Sequence, residues 1–251
     1  MSWESELDLA RAAAALAGKT LCKLVGHPKK VLSAEGKDIK IQADRDAEHL
    51  ILEKLGETEY PILAEESGEH GQCDTSDAFW VVDPLDGTMN FTRDLPMNCV
   101  SIALCSEGDP VLGVVYDFNR DECFHGIVGQ GAGMNDAPIS VSATLERSQA
   151  VLATGFPAKS AFDRDTLDAF VSCVQQFKKI RMLGTAALSL AYVACGRVDV
   201  YLEDEIMLWD VAAGIALVEA AGGVVDSEPS KRGDWVRKVR CAARAELFPG
   251  K

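Results

Sequence analysis

Trp80-Val81-Val82-Asp83-Pro84-Leu85-Asp86-Gly87-Thr88-Met89-Asn90-Phe91 begins as an apolar strand and ends as a turn that carries two carboxylates. Pro84 has no N–H for a sheet ladder and biases Asp83 toward extended geometry, so the strand is expected to stop there. Asp83 and Asp86 then flank a bend that can aim both side chains at one point. Carboxylates held that close repel one another unless they share a proton or a cation. Gly87 permits close approach of backbone or ligand. The amides of Gly87 and Thr88 fall where a following helix would begin, a place suited to phosphate. Carboxylates beside a phosphate cradle point to metal-assisted phosphoryl chemistry. The plainer reading makes Asp83 and Asp86 turn formers, because Asp-Gly is a common turn.

Two further segments extend the pattern. Ala64-Glu65-Glu66-Ser67-Gly68 lies about twenty residues upstream, and Trp209-Asp210-Val211-Ala212-Ala213-Gly214 lies well over a hundred downstream. Mg²⁺ takes roughly six oxygens, few of them from protein. Glu65, Asp83, Asp86 and Asp210 each stand at the expected end of a strand or start of a helix, and the Leu85 carbonyl inside the bend is a natural fifth donor. Asp210 has a second reading as a helix cap, and so has Asp44, which precedes an apolar-periodic run. Glu66 reads as a neighbour of the ligands, either solvated or supporting them from behind, rather than as a ligand.

The three segments together resemble the signatures of the inositol monophosphatase family, part of the Mg²⁺-dependent, lithium-sensitive phosphatase superfamily. The resemblance runs from about Lys37 to Gly223 and is weakest over the first thirty residues and after Asp226. It implies a five-layered α-β-α-β-α sandwich and a homodimer. It assigns Glu65, Asp83 and Leu85 to a first Mg²⁺, and Asp83, Asp86 and Asp210 to a second. Glu65 would also help to hold a weaker third ion and the attacking water. Thr88 matches the threonine that orients or deprotonates that water, with Asp44 behind it. The Gly87 and Thr88 amides match the phosphate cradle. Contacts to the substrate alcohol fall on Gly184, Thr185, Ala186 and Glu203, the last placed by its spacing before Asp210. Lys37 and Asp38 lie where the family carries a loop near the metals, but Gly36-Lys37-Asp38-Ile39-Lys40 is not its usual pattern.

Composition narrows the classes. The 251 residues, 47% of them apolar, are enough for a full core, and no apolar run approaches the ~18 residues of a membrane span. Met1-Ser2-Trp3-Glu4-Ser5-Glu6 has no basic n-region, which argues against a signal peptide and for a cytoplasmic protein. Eight scattered cysteines form no Cys-x-x-Cys pair and read as reduced thiols. A net charge of −14 opposes nucleic acid and anionic membranes, and would repel a phosphate ester unless bound cations reverse the local field. The four histidines show no ligand spacing and read as surface residues.

Along the chain, the periodicities predict helices from Glu4 to about Val25 and from Asp44 to Leu55, then β-rich segments from Tyr60 to Val141. Gly129-x-Gly131-x-Gly133 lies between β segments and reads as a hairpin turn rather than a nucleotide loop. Further on come strands at 151–153, 179–182, 198–202 and 224–225. Helices are expected at 165–176, with Leu167, Phe170, Val171 and Val174 on one face, at 185–195 and at 210–221. The basic tail from Lys231 carries no expected element. These elements form one catalytic unit over 1–251, with a metal-motif half at about 1–147 and an α/β half at about 148–251.

The reading is Mg²⁺-dependent hydrolysis of a small sugar or cyclitol phosphomonoester, with inositol 1-phosphate foremost. Alternatives are a 3'(2'),5'-bisphosphate nucleotidase, or a histidinol-phosphate or fructose-1,6-bisphosphate phosphatase. A different class is a metal-binding pseudo-enzyme acting through a protein partner. Met89-Asn90-Phe91 and Thr154-Gly155-Phe156-Pro157 favour the inositol branch, and retention of Thr88 and Asp44 argues against a pseudo-enzyme.

Overall fold

The computed structural model describes residues 2–35, 38–156 and 163–249. Helix α1 (Glu4–Cys22) buries Ala10, Ala13, Ala14, Ala17 and Leu21 along one stripe. That spacing is the core-facing stripe of an amphipathic helix, and its small side chains let the helix lie close to a sheet. A hairpin of β1 (Val31–Glu35) and β2 (Asp38–Ile41) leads into α2 (Gln42–Leu55). Then follow β3 (Ile62–Ala64), β4 (Gly68–His70), β5 (Phe79–Asp86), the short helix α3 (Thr88–Thr92), β6 (Cys99–Ser106), β7 (Asp109–Asp117), β8 (Glu122–Ile127), β9 (Gly131–Met134) and β10 (Ala137–Ile139). The second half holds β11 (Val151–Thr154), α4 (Arg164–Val174), β12 (Lys179–Arg181), α5 (Ala186–Ala194), β13 (Val200–Met207), α6 (Leu208–Ala220), β14 (Val224–Pro229) and β15 (Val236–Ala242).

Eight strands form one sheet in the order β10-β9-β8-β7-β6-β5-β3-β4, antiparallel except for β3 beside β5. Five strands form a second sheet, β12-β11-β13-β15-β14, in which β11 runs parallel to both its neighbours. One face of the first sheet, with Trp80, Val82, Ile102 and Val114, packs on α1 and α2. Its other face, with Phe79, Val81, Ala103 and Val115, packs on α5 and α6, which also cover Tyr201, Val239 and Cys241 of the second sheet. Sandwiched between two sheets, α5 and α6 are apolar nearly all round. The far face of the second sheet, Leu152, Val200 and Ala242, meets Phe177 and the Cys173–Val174 end of α4. The layers are α-β-α-β-α, the sandwich expected.

Three expectations are corrected. Strand β5 does not stop at Pro84 but runs on to Asp86, with its register against β6 shifted between Asp83 and Asp86. A bulge takes residues out of the ladder, so the missing proline N–H costs no hydrogen bond there. The basic tail contains an inner strand, since β15 lies between β13 and β14. Val239 and Cys241 point into the central core while Lys238 and Arg240 alternate outward, a period of two that the charge of the segment hides. In α4 the expected apolar face holds in part: Leu167, Phe170 and Val174 are half-buried on the side of the second sheet, while Val171 is 46% exposed. A cavity of about 610 Å³ lined by Leu152, Leu167, Phe170 and Leu202 lies beneath it. His125 is half-buried, whereas the other three histidines are exposed.

All eight cysteines are free thiols, and Cys99, Cys105 and Cys241 are buried. Among the described residues no helix is long and apolar enough to cross a membrane.

Candidate metal centre

The bulge at Asp83–Asp86 builds the site. Leu85 N donates to Asp83 Oδ1 at 2.9 Å, which folds the chain around Pro84 and presents both carboxylates on one side. Gly87 follows with φ +88°, and a Cβ there would lie 2.7 Å from the Met97 carbonyl, so both conformation and space require glycine. Helix α3 starts immediately after it. The Thr88 hydroxyl donates to the Leu85 carbonyl at 2.9 Å.

Asp86 is held from far along the chain. Its Oδ2 accepts from the Thr185 hydroxyl at 2.5 Å and from the Ala187 amide at 2.7 Å, so it sits on the N-terminus of α5. Thr185 also caps that helix by accepting from Leu188 N. The Thr185 hydroxyl is thereby committed to aligning Asp86 and capping α5, which leaves the backbone of this residue for the expected contact with a substrate alcohol. Asp210, half-buried, is the third residue of α6, and its Oδ2 accepts from the Met207 amide at 3.3 Å. One carboxylate oxygen from each of Asp83, Asp86 and Asp210 lies within 4.8 Å of the others.

Glu65 leaves the end of β3 and is in hydrogen-bond contact with Asp83. Burial pushes the Glu65 carboxyl up to about 7, with repulsion from Glu66 and Asp86 adding to it and the bond to Asp83 opposing it. Asp83 is driven well above the usual carboxylate range by burial, then by Glu65, Asp86 and Asp210. Asp86 rises to about 6, because burial outweighs the Thr185 hydroxyl and the α5 amides. Burial and the repulsion of Glu65 and Asp86 raise Asp210 well up too. Without a cation these groups keep their protons to a higher pH than ordinary carboxyls do.

Asp44 is not an N-cap: it is the third residue of α2, and its Oδ2 reaches back to the Ile41 amide at 2.8 Å. It is 2% exposed, and its Oδ1 has no partner. Burial, with Glu66 and Glu65 adding, raises it to about 7. No hydrogen bond joins Asp44 to Thr88 among the described residues. Of the two expectations for Glu66 the structure favours the supporting one: its side chain is 5% exposed and pairs with Lys40 at 3.1 Å. Lys37 lies outside the described residues, as does the side chain of Asp38.

Gly184, Thr185, Ala186, Glu203, Asp86 and Asp210 line one cavity of about 350 Å³. The expected alcohol contacts and two of the expected metal ligands thus share a space. Sequence reasoning missed three supports. Glu48, one helical turn after Asp44, is buried and accepts from the Glu66 amide at 3.0 Å, fixing the Glu65–Glu66 peptide; the i, i+4 spacing was the available signal. Asn90 Nδ2 donates to the carbonyls of Met97 at 2.7 Å and Leu183 at 2.8 Å, tying α3 to the Gly184 loop. Tyr201 donates to Glu203 Oε2 at 2.8 Å.

The donor set fits a hard divalent cation. All the converging atoms are oxygens, as Mg²⁺ prefers, and the buried Asp44 Oδ1, on a carboxyl near enough to Glu65 and Glu66 to feel their charge, has no partner among the described residues.

Residues 2–248 match the model of the inositol monophosphatase family. The chain belongs to that family. An inositol-1-monophosphatase of Synechocystis is 41% identical over 229 residues, which are 88% of this chain and 78% of the relative. The Nus factor SuhB of Escherichia coli K12 is 39% identical over 224 residues, 87% of this chain and 84% of the relative. Among solved structures, an inositol monophosphatase from Anabaena superposes with a TM-score of 0.81 at 37% identity, covering 98% of this chain and 94% of that one. The suppressor protein SuhB of Bartonella henselae gives 0.85 at 36%, covering 97% and 95%. The family match takes in the first thirty residues and the tail, beyond the span that the motifs suggested. The family is Mg²⁺-dependent, and the acidic cluster is a place for that metal in this chain.

Proposed function

We propose that this protein hydrolyses a sugar or cyclitol phosphomonoester with Mg²⁺, inositol 1-phosphate foremost. The observation that carries this reading is the meeting of the Asp83–Asp86–Asp210 cluster with the cavity of Gly184, Thr185, Ala186 and Glu203. Glu65, Asp83, Asp86, Asp210 and the Leu85 carbonyl would hold the metal. Bound there, divalent cations would offset the carboxylate charge, draw in the phosphate and acidify a water.

The chain's own groups supply the rest. The α5 amide and the Thr185 hydroxyl occupy Asp86 Oδ2 and so leave Oδ1 for a ligand. The Thr88 hydroxyl, already beside the Leu85 carbonyl, is placed to orient a water at that point. Asp44, with a free oxygen and a carboxyl at about 7, is matched to accept a proton near neutral pH. The amides of Gly87 and Thr88 are the phosphate cradle.

Thr88→Ala is expected to lower kcat by roughly 10²-fold or more while KM moves only a few-fold, because a group that positions the water acts in the transition state. The reverse pattern in steady-state kinetics would place Thr88 in substrate binding.

The substrate is decided by comparing kcat/KM for inositol 1-phosphate, fructose 1,6-bisphosphate, histidinol phosphate and adenosine 3',5'-bisphosphate in one Mg²⁺ buffer. Preference for the nucleotide by tenfold or more would replace this reading with a nucleotidase. Relatives of nearly equal similarity carry the name Nus factor SuhB, which is not that of a hydrolase. Turnover of no substrate in the panel would favour a role without hydrolysis.

A further inference from the structure

Glu203 is a carboxylate of the cavity wall that does not belong to the converging acidic group. Three features of its surroundings act on this one side chain. Tyr201, fully buried two residues earlier on β13, donates its hydroxyl to Glu203 Oε2 at 2.8 Å. The Thr154 hydroxyl donates to the Leu202 carbonyl at 2.6 Å, which pins the end of β11 against β13 beside Glu203. Gly155 comes next, and a Cβ built there would lie 2.6 Å from Oε1, 2.6 Å from Oε2 and 2.8 Å from Cδ of Glu203. The Gly155 backbone is not in the left-handed region, so conformational freedom does not explain the glycine; the space taken by the Glu203 carboxylate does. Register against β15 shifts between Glu203 and Ile206, which leaves Glu203 as the last paired residue before a bulge in its strand. Oε1 accepts no hydrogen bond from the described residues, while the residue faces the cavity.

A carboxylate with one oxygen satisfied and the other bare, locked on both sides, is a fixed acceptor for a donor that arrives with a ligand. We propose that Tyr201 and Gly155 determine substrate specificity by holding Glu203 so that Oε1 receives a hydroxyl of the substrate's alcohol half. This rests on the phosphomonoesterase reading above and deepens it: the selected class is polyol phosphates, against esters whose leaving group has no hydroxyl. A ligand without that hydroxyl leaves a desolvated carboxylate oxygen unpaired, and sites built around such a bond discriminate strongly against analogues lacking the group. Tyr201 and Gly155 are positioning residues, since both act through Glu203.

The test compares inositol 1-phosphate with para-nitrophenyl phosphate, whose leaving group carries no alcohol hydroxyl, in Mg²⁺ buffer. Wild type, Tyr201→Phe, Gly155→Ala and the reference variant Glu203→Gln are measured. Wild type is expected to prefer inositol 1-phosphate by tenfold or more in kcat/KM. Each positioning variant is expected to cut that preference at least tenfold, mainly through a higher KM for inositol 1-phosphate. Tyr201→Phe added to Glu203→Gln is expected to cost little more than Glu203→Gln alone, because both changes act on one contact. Tyr201→Phe removes a single oxygen and carries the test if Gly155→Ala does not fold. Equal losses on both substrates, or a preference that survives both variants, would overturn the inference and make these residues structural. Absence of any preference in wild type would overturn the function reading, and the inference with it.

Discussion

Asp83→Asn is expected to abolish phosphatase activity, by on the order of 10³-fold or more, while making the metal-free protein more stable. The two effects have one cause. Asp83 is 1% exposed, and burial and its acidic neighbours Glu65, Asp86 and Asp210 raise its carboxyl. In the absence of cations its charge is a liability, and the isosteric amide removes it without opening a cavity. In the proposed site that carboxylate is a ligand once cations are present, and its loss is expected to weaken their binding. The same cluster sets the pH dependence of the metal-free protein. Glu65 rises from 4.5 to about 7, Asp44 from 3.8 to about 7 and Asp86 from 3.8 to about 6. Between about pH 4 and pH 7 the folded chain therefore holds protons that the unfolded chain has lost. Stability in chelator should fall as pH rises through that window. Melting curves and phosphate release, each with chelator and with Mg²⁺, check both halves. Undiminished turnover in the variant, or full wild-type activity in excess chelator, contradicts the assignment.

Gly113→Ala is expected to be the most damaging single methyl addition at the centre of the fold. Gly113 is buried in β7, and a Cβ there would lie 2.1 Å from the Ala213 carbonyl oxygen. That atom is backbone inside α6, so no side chain can swing aside and the helix itself must lift. Overpacking costs up to about 3 kcal/mol where side chains can adjust, and this clash should reach or exceed that. For a chain of this size such a loss lowers Tm by roughly 6–12 °C. Because α6 also carries Asp210, activity should fall with stability. Thermal unfolding and an assay on the same preparation check it; an unchanged Tm means that α6 does not approach the sheet this closely.

Most of the metal centre was legible because its chemistry is local. Asp83, Asp86, Gly87 and Thr88 stand within six residues, and a run of that density constrains both backbone and charge. Periods of two and 3.6 placed most helices and strands of a layered α/β protein, and the five-layer order came from the resemblance to the family. The misreadings have physical reasons. Pro84 ends a regular strand, but a bulge has no ladder bond for it to break. The strand at Val236–Ala242 alternates cleanly, yet its outward Lys238 and Arg240 made the tail read as surface. The hold on Asp86 could not be read at all. Thr185 and Ala187 lie about a hundred residues downstream, and only the tertiary fold brings the start of α5 onto that carboxylate.

The most direct test is a calorimetric titration of Mg²⁺ into the metal-free protein near pH 7, run in two buffers of different protonation enthalpy. Near that pH the Glu65 carboxyl, raised to about 7, and those of Asp83 and Asp210, well above their usual range, still hold protons that a cation must displace. The account predicts Mg²⁺ binding that releases protons to the buffer, tightens as pH rises, and is lost in Asp83→Asn. Absence of binding to the wild-type protein, or binding that releases no protons and survives Asp83→Asn, would contradict it.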